Sequence, residues 1–221
     1  MKRFFIAVTA TCLSLSCLAQ ESIPVEYNGW GVRVSSDITM PGKWKNQNGE
    51  KVKMYKNGWG IAAGAVYNYP FGKNFYIEPG VSLFYDSYEY DDITLSTGDN
   101  PLTANPSVNK YGIRIPVVLG YRFVLLNRLD MSVFTGPEFS YAFSGKLKVK
   151  DEWNLGDDFP TDLFGKHGYR RTDCRWRVGI GIYPDERWMV SISGAFGLID
   201  QYQNDISFHE NMVTISLGYD F

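Results

Sequence analysis

The chain has 221 residues, of which 44% are hydrophobic and 16% aromatic, and its formal net charge is −2. That balance lacks the strong positive charge of a nucleic-acid-binding protein. Beyond the N-terminal region no continuous apolar run of about 18 residues occurs, so we expect no transmembrane helix.

The N-terminus has the anatomy of a secretory signal peptide. Lys2 and Arg3 precede an apolar run from residue 4 to residue 18, and the small residue Ala19 follows. This order is typical of an export signal that is cleaved after the small residue. We therefore expect residues 1–19 to be a signal peptide and residues 20–221 to form a single exported domain.

The cysteines leave one alternative open at this end of the chain. Cys17 could be lipidated, although Ser14 stands where the usual lipoprotein signal has leucine. Cleavage after Ala19 removes Cys17 and leaves Cys174 as the single cysteine, so we expect no intramolecular disulfide.

Apolar and polar residues alternate along most of the mature chain. In residues 111–123, every odd position is apolar or aromatic, whereas Arg114, Pro116 and Arg122 occupy the even positions. A period of two indicates a β-strand, and a strand of about ten residues is long enough to cross a membrane. Eight segments show this pattern: 29–36, 58–71, 75–88, 111–123, 129–145, 174–183, 187–200 and 212–221.

The connections between these segments alternate between short and long. Outer-membrane barrels have short periplasmic turns and long extracellular loops. The sequence therefore predicts an all-β protein: an eight-stranded antiparallel up-and-down transmembrane β-barrel. Short turns are expected at 70–74, 124–128 and 184–186, and long extracellular loops at 39–57, 87–109, 146–171 and 200–210.

Aromatic residues concentrate near both ends of the predicted strands. Tryptophan and tyrosine favour the two lipid–water interfaces, where aromatic girdles bracket the apolar band of a barrel. The predicted girdle residues are Trp30, Trp59, Tyr121, Phe123, Tyr141, Trp176, Trp188 and Tyr219.

Side chains at alternate positions of a strand point to the same face, and we call each such set a parity. The charged side chains lie on the parity that would face the barrel interior. Eight strands enclose a lumen just wide enough for side chains to fill, and charges there must pair or reach water. We expect a luminal network centred on Glu78 and Glu138, with Arg114 and one or both of Arg175 and Arg177, that plugs the barrel; a wet groove is the alternative. The full predicted set is Arg33, Glu78, Arg114, Arg122, Glu138, Arg175 and Arg177.

Two features qualify this reading. Pro116 cannot donate a ladder hydrogen bond, so it should lie at a bulge or at a locally open pairing. A secreted, soluble, lipocalin-like barrel would place the apolar parity inside and the charges outside, because parity alone does not say which face is buried.

The chain resembles the PorT-like family of small outer-membrane β-barrels. The resemblance rests on "YGIRIPVVLGYRF", "GPEFSYAFSGKL", "WRVGIGIY" and the terminal "ISLGYDF", and covers essentially the whole mature chain. It implies a porin-like barrel in the outer membrane of a Gram-negative bacterium, in a family where some members take part in protein secretion. Tyr219 and Phe221 look like the recognition signal that the barrel assembly machinery reads.

No catalytic signature accompanies the strand pattern. His209, beside Glu210 and downstream of Asp200, could serve as a base, but exposed loop histidines are mostly polar loop residues. The other histidine, His167, also falls in a predicted loop. We expect neither an enzyme nor a bound metal or cofactor.

We therefore expect a non-enzymatic outer-membrane barrel that acts through its extracellular loops in envelope structure, adhesion, or a surface or secretion complex. The expected partners are outer-membrane lipids, lipopolysaccharide, the barrel assembly machinery and a protein at the loops, with no nucleic acid. A narrow channel for small solutes, a soluble binding protein and a hydrolase at the rim remain alternatives.

Overall fold

A computed structural model describes residues 28–45, 51–52, 55–90, 93–97, 100–125, 129–151, 161–164, 168–202 and 208–221. The predicted signal peptide, Cys17, His167 and part of each predicted loop lie outside these ranges. Within them no helix is long and apolar enough to cross a membrane.

Eight long strands follow one another along the described chain. Each continues a segment in which apolar and polar residues alternate. We number them β1 (Gly29–Pro41), β2 (Gly58–Phe71), β3 (Phe75–Glu89), β4 (Asn100–Leu125), β5 (Leu129–Asp151), β6 (Thr172–Tyr183), β7 (Trp188–Gly197) and β8 (Glu210–Asp220).

Each strand pairs antiparallel with its neighbours in sequence, and the sheet closes because β1 also pairs with β8. The closing register sets Arg33 opposite Gly218 and Ser35 opposite Ser216. Closure leaves no free sheet edge, which a β-structure in a bilayer requires. The prediction of a closed, eight-stranded antiparallel barrel is confirmed.

The apolar parity faces outward. Leu83 is 65% exposed and Trp30 61% exposed, whereas the residues of the opposite parity are buried in the interior. A soluble barrel would have the reverse arrangement, since exposed apolar surface in water is unfavourable. The lipocalin-like alternative is therefore wrong.

Several strands are longer than the alternation predicts, and β4 and β5 extend furthest. Strand β4 begins at Asn100 and β5 ends at Asp151, and the two remain paired up to Ala104 and Asp151. The predicted loops at 87–109 and 146–171 are therefore partly strand, because backbone pairing continues where the side-chain pattern has become polar. A bulge between Tyr111 and Gly112 lies within this hairpin.

The short connections lie at the end of the barrel that also holds residues 29 and 221, which we call the turn end. Gly72, in the turn between β2 and β3, has a φ of 70°. This is a left-handed conformation that glycine adopts without steric cost. The Asp185 carboxylate accepts hydrogen bonds from the backbone N–H groups of Trp188 (2.7 Å) and Arg187 (2.8 Å) in the turn before β7. These hydrogen bonds lower the pKa of Asp185.

Pro116 lies at a locally open pairing, as predicted. The β3–β4 register holds from Phe75 to Pro79 and resumes at Ser82, whereas Gly80 and Val81 have no paired partner on β4. The strands stay in the same register across this gap.

Candidate functional site

The barrel interior carries charges of both signs, which six of the eight strands contribute. Inward side chains alternate with lipid-facing ones, so a charge at any inward position enters the lumen. Among the described residues the interior holds the carboxylates Asp37, Glu78, Asp86, Glu138, Asp173, Glu210 and Asp220 and the cations Arg33, Lys110, Arg114, Arg122, Arg175 and Arg177.

Nearest the turn end, one arginine joins two carboxylates from different strands. The Arg33 guanidinium lies 2.6 Å from a Glu78 oxygen and 2.6 Å from an Asp220 oxygen. This cluster links β1, β3 and β8 across the lumen.

A second cluster crosses the lumen further along the barrel axis. Arg114, which is 2% exposed, lies 2.5 Å from Asp37 and 2.7 Å from Asp86. Its guanidinium stacks over the Phe84 ring, and Thr214 donates a hydrogen bond of 2.8 Å to Asp37. A buried charge with these partners is satisfied on several sides.

A third cluster surrounds Glu138 and extends toward the loop end, the end opposite the turns. Glu138 pairs with Arg177 and lies 3.6 Å from Arg175. Arg175 is 2.6 Å from Asp173 and 3.3 Å from Glu210. Both arginines that the sequence offered as alternatives therefore contact Glu138.

The predicted pairing needs two corrections. Arg114 binds Asp37 and Asp86 rather than Glu78 or Glu138, which pair with other arginines. Arg122 has no carboxylate within 4.0 Å among the described residues; it lies over the Tyr183 and Tyr76 rings, 3.9 and 5.7 Å from their centroids. Aromatic faces supply the negative potential that a carboxylate would otherwise give.

The sequence analysis did not include most of the luminal carboxylates or the luminal lysine in the network. For four of these residues the reason is that the strands were predicted too short. Asp37, Lys110, Asp173 and Glu210 lie one or two residues outside the predicted strands, yet they keep the inward parity. Extending each alternation by two residues would have found them. Asp86 and Asp220 lay inside the predicted segments on the luminal parity but were left out of the network.

A cavity of about 80 Å³, which we call the chamber, lies among these clusters and has both charged and apolar side chains in its wall. Arg33, Glu78, Arg114, Glu138 and Arg177 contribute to its wall.

An aromatic cap covers the loop end of the lumen. The cap consists of the buried residues Tyr55, Tyr88, Val108, Leu163, Tyr169 and Phe208. They come from three connections and from the loop-end parts of strands β3 and β4, because the segments at this end of the barrel converge over its mouth.

Hydrogen bonds join the cap to the charge clusters below it. The Tyr55 hydroxyl contacts the Tyr169 hydroxyl, and the Tyr88 hydroxyl donates to Glu210 at 2.9 Å. Glu210 also pairs with Lys110 at 2.6 Å. Burial raises the pKa of Tyr55 and of Tyr169, so both phenols stay protonated.

The predicted girdle residues line both ends of the wall, with one exception. Ring pairs join Trp30 with Tyr67 and Trp188 with Tyr219 at the turn end. Phe123 is 3% exposed and does not face lipid. Its neighbour Val124 is also buried, so the alternation of faces ends before strand β4 does.

The remaining girdle residues lie as follows. Trp59, Tyr141 and Trp188 are exposed on the wall, and Tyr121 and Tyr219 are half-buried. Trp176 is also half-buried, and its indole N–H donates to the Thr135 hydroxyl at 2.9 Å.

His209 lies at the loop end, and its side chain points away from Glu210, the next residue in the chain. Its Nδ1 lies 3.0 Å from the Ile199 carbonyl oxygen, and its Nε2 lies 3.4 Å from Asp200. Glu210 points into the lumen toward Lys110. Among the described residues no group of three or more His, Cys, Asp or Glu side chains is arranged to hold a metal ion.

A closed barrel with an apolar outer wall, aromatic ends and a charged interior defines an integral membrane β-barrel. The chain belongs to the outer membrane protein beta-barrel domain family, whose profile matches residues 18–203. It is therefore an outer-membrane β-barrel protein.

Solved barrels from several bacteria are similar to this chain. The attachment invasion locus protein Ail of Yersinia pestis is 13% identical, with 88% of this chain and 99% of that chain covered and a TM-score of 0.44. Neisserial surface protein A is 10% identical, with 87% and 97% covered and a TM-score of 0.44. OprG of Pseudomonas aeruginosa is 12% identical, with 90% and 98% covered and a TM-score of 0.43. Among functionally curated proteins none matches.

Proposed function

We propose that the protein is a non-enzymatic, non-conducting barrel of the Gram-negative outer membrane that acts through its extracellular loops in envelope structure, adhesion, or a surface or secretion complex. The observation that carries this proposal is the layered obstruction of the lumen. The Arg114 cluster crosses the interior between β1, β3 and β4, and the aromatic cap covers the loop end.

The cap also supports a role for the loops. It ties segments from three connections and two strand ends to one buried cluster, and bridges join Tyr55 to Tyr90 and Tyr169 to Tyr202. Segments held together in this way present one surface to a partner, and less ordering entropy is then lost on binding. The loop end is therefore where we place contacts with a protein and with lipopolysaccharide.

The finer assignment is to the PorT-like group of barrels, on the strand motifs around Arg114 and Arg177. We further propose that residues 1–19 are cleaved during export, that the apolar wall contacts outer-membrane lipids, and that Tyr219 and Phe221 are read by the barrel assembly machinery. Phe221 lies at the end of the closing strand and is exposed, as a recognition residue must be.

A narrow channel for small solutes is the second candidate, and the chamber is the observation that favours it. A cavity of about 80 Å³ between charge clusters could hold several waters on a path through the barrel. The cap and the Arg114 cluster would then have to open.

Conductance in planar bilayers separates the two functions. We expect the purified wild-type protein to give no unitary current steps. Steady steps from the wild type would contradict the proposal and support the channel. As a control for sensitivity, we expect Arg114→Ser combined with Asp37→Ser and Asp86→Ser to conduct, provided that heat-modifiable gel migration shows it to be folded.

The absence of catalysis is tested at His209. We expect the wild type to release no product from lipid A or from peptide substrates. Hydrolysis that disappears in a His209→Ala protein of unchanged gel migration would overturn this part of the proposal.

A further inference from the structure

The β3–β4 contact has a gap in its backbone pairing at mid-wall. Pro79 pairs with Val117 and Ser82 pairs with Arg114, but the two positions between them on each strand are not paired across the β3–β4 contact, although they pair with β2 and β5 on their other sides. Pro116, which has no backbone N–H, is one of the unpaired residues. We call the unpaired positions Gly80, Val81, Ile115 and Pro116 the β3–β4 seam.

The adjoining strand contacts are interrupted at nearly the same height. Pairing between β2 and β3 lapses between Val66–Gly80 and Tyr69–Ile77, beside Pro79. Pairing between β4 and β5 lapses between Pro116–Glu138 and Leu119–Thr135, beside Pro137. Three consecutive strand contacts thus each lack backbone pairing beside a proline in this region, which weakens the wall locally.

The chamber lies directly behind this region. Gly64, Val81 and Pro116 all contribute to its lining. Gly64 has no side chain to separate the chamber from the backbone of the wall. The Pro116 ring lies close to Gly80, where an added β-carbon would come within 3.4 Å of it.

Lipid-facing side chains flank the seam on the other side. Val81 is 46% exposed and Ile115 is 44% exposed. At the seam, little more than the backbones of β3 and β4 lies between the hydrocarbon of the bilayer and the polar groups of the chamber. Unpaired backbone groups are costly in hydrocarbon, and the polar groups behind them lower that cost.

The chamber has paired charges and spare hydrogen-bonding groups. Arg33, Arg114 and Arg177 each have carboxylate partners, so a charged guest would find no free counter-ion. Their Nε atoms make no hydrogen bond to the described part of the chain. Serine side chains complete the polar wall: Ser35, Ser82, Ser191 and Ser216.

We propose that the β3–β4 seam is a lateral portal, through which neutral hydroxyl-headed amphiphiles pass from the bilayer to place their head group in the chamber. A hydroxyl both accepts from the arginine Nε–H groups and donates to a serine or carboxylate oxygen. The apolar chain of the guest stays between Val81 and Ile115, toward the lipid. This binding site requires no passage across the membrane and is independent of the loop function proposed above.

Solution NMR in detergent micelles tests the proposal, with 1-octanol as the probe. The readout is the Nε–Hε resonances of Arg33, Arg114 and Arg177. We expect 1-octanol to shift them saturably, and octanoate and octyltrimethylammonium, which carry charged head groups, to leave them unchanged. No shift with 1-octanol would overturn the site, and equal shifts with a charged probe would overturn the head-group assignment.

Cross-linking tests the route, in a Cys174→Ser background. Val81→Cys with Ile115→Cys closes the seam when oxidised, whereas Leu83→Cys with Ile113→Cys cross-links the same two strands at a paired position. We expect oxidation to abolish the 1-octanol shifts in the first protein, reduction to restore them, and the second protein to respond in both states. Equal responses from the two oxidised proteins would overturn the portal.

Discussion

At the scale of single residues, Arg114 joins three neighbouring side chains in the lumen. Its guanidinium neutralises Asp37 and Asp86, both almost fully buried, and stacks over Phe84. The arginine itself was predicted from its parity, but its partners were not. Partner choice depends on the register of β1, β3 and β4, which the one-dimensional pattern does not contain.

Arg114→Ala should destabilise the barrel by about 3–5 kcal/mol, because it leaves two buried carboxylates without their cation. The measurement is urea unfolding in detergent, followed by the loss of heat-modifiable gel migration. Ile115→Ala, next to it on the lipid face, is the control and should cost less. We expect Arg114→Met with Asp37→Asn and Asp86→Asn to recover most of the loss, and equal stability of the Arg114→Ala and Ile115→Ala proteins would refute the argument.

Gly64 and Gly194 give a matched pair of positions for testing how closely the backbones of neighbouring strands approach each other. A β-carbon on Gly64 would overlap the Val81 carbonyl oxygen and the Ser82 backbone, whereas one on Gly194 would meet its nearest atom at 3.6 Å. Gly64→Ala should reduce the fraction of protein that refolds to the fast-migrating gel form, and Gly194→Ala should stay within about 0.5 kcal/mol of the wild type. Equal refolding yields would show that β2 and β3 are less closely apposed than described.

At the scale of elements, the strands and the cap differ in how far sequence predicts them. Strand positions follow from alternation, which persists because one face meets lipid and the other meets the lumen. The cap does not follow, because Tyr55, Leu163, Tyr169 and Phe208 lie in connections without periodicity. Only their convergence in three dimensions identifies them as one cluster.

The cap should loosen at alkaline pH. The folded-state pKa of Tyr55 and of Tyr169 lies above the ordinary value of 10.0. The stability that these phenols contribute is therefore complete below pH 10 and is lost as pH rises above it. Proteinase K cleavage near residues 53–56 and 165–170, measured from pH 8 to pH 11, should accelerate above pH 10.

A Tyr55→Phe/Tyr169→Phe protein serves as the control for this titration, since it lacks both phenols. It should be cleaved with a weaker dependence on pH. Loops of the wild type that stay equally protected at pH 11 would show that the cap phenols do not hold them.

The closing strand supports a prediction about assembly. Phe221 donates its backbone N–H to the Trp30 carbonyl at 3.0 Å, but its side chain is exposed, with its ring edge-on to Tyr219. Phe221→Ala should therefore refold in detergent like the wild type yet accumulate poorly in the outer membrane of cells. Loss of refolding in vitro would mean that Phe221 is structural, and normal accumulation in cells would remove it from the assembly signal.

At the scale of the whole molecule, the fold was predictable and the site only partly so. Strand number, closure and the outward apolar face all follow from alternation and connection length. The pairing of charges, the cap and the β3–β4 seam depend on contacts between distant segments. Function through the loops depends on surfaces that no periodic pattern encodes.

The most direct test of the account is surface labelling of intact cells. It uses one protein with an epitope inserted after Asn48, in a predicted extracellular loop, and a second with the epitope after Glu186, in a turn. The account predicts antibody binding to the first on intact cells and to the second only after the outer membrane is permeabilised. Labelling of the turn on intact cells, or recovery of either protein in a soluble fraction, would contradict the orientation and the membrane location on which the account depends.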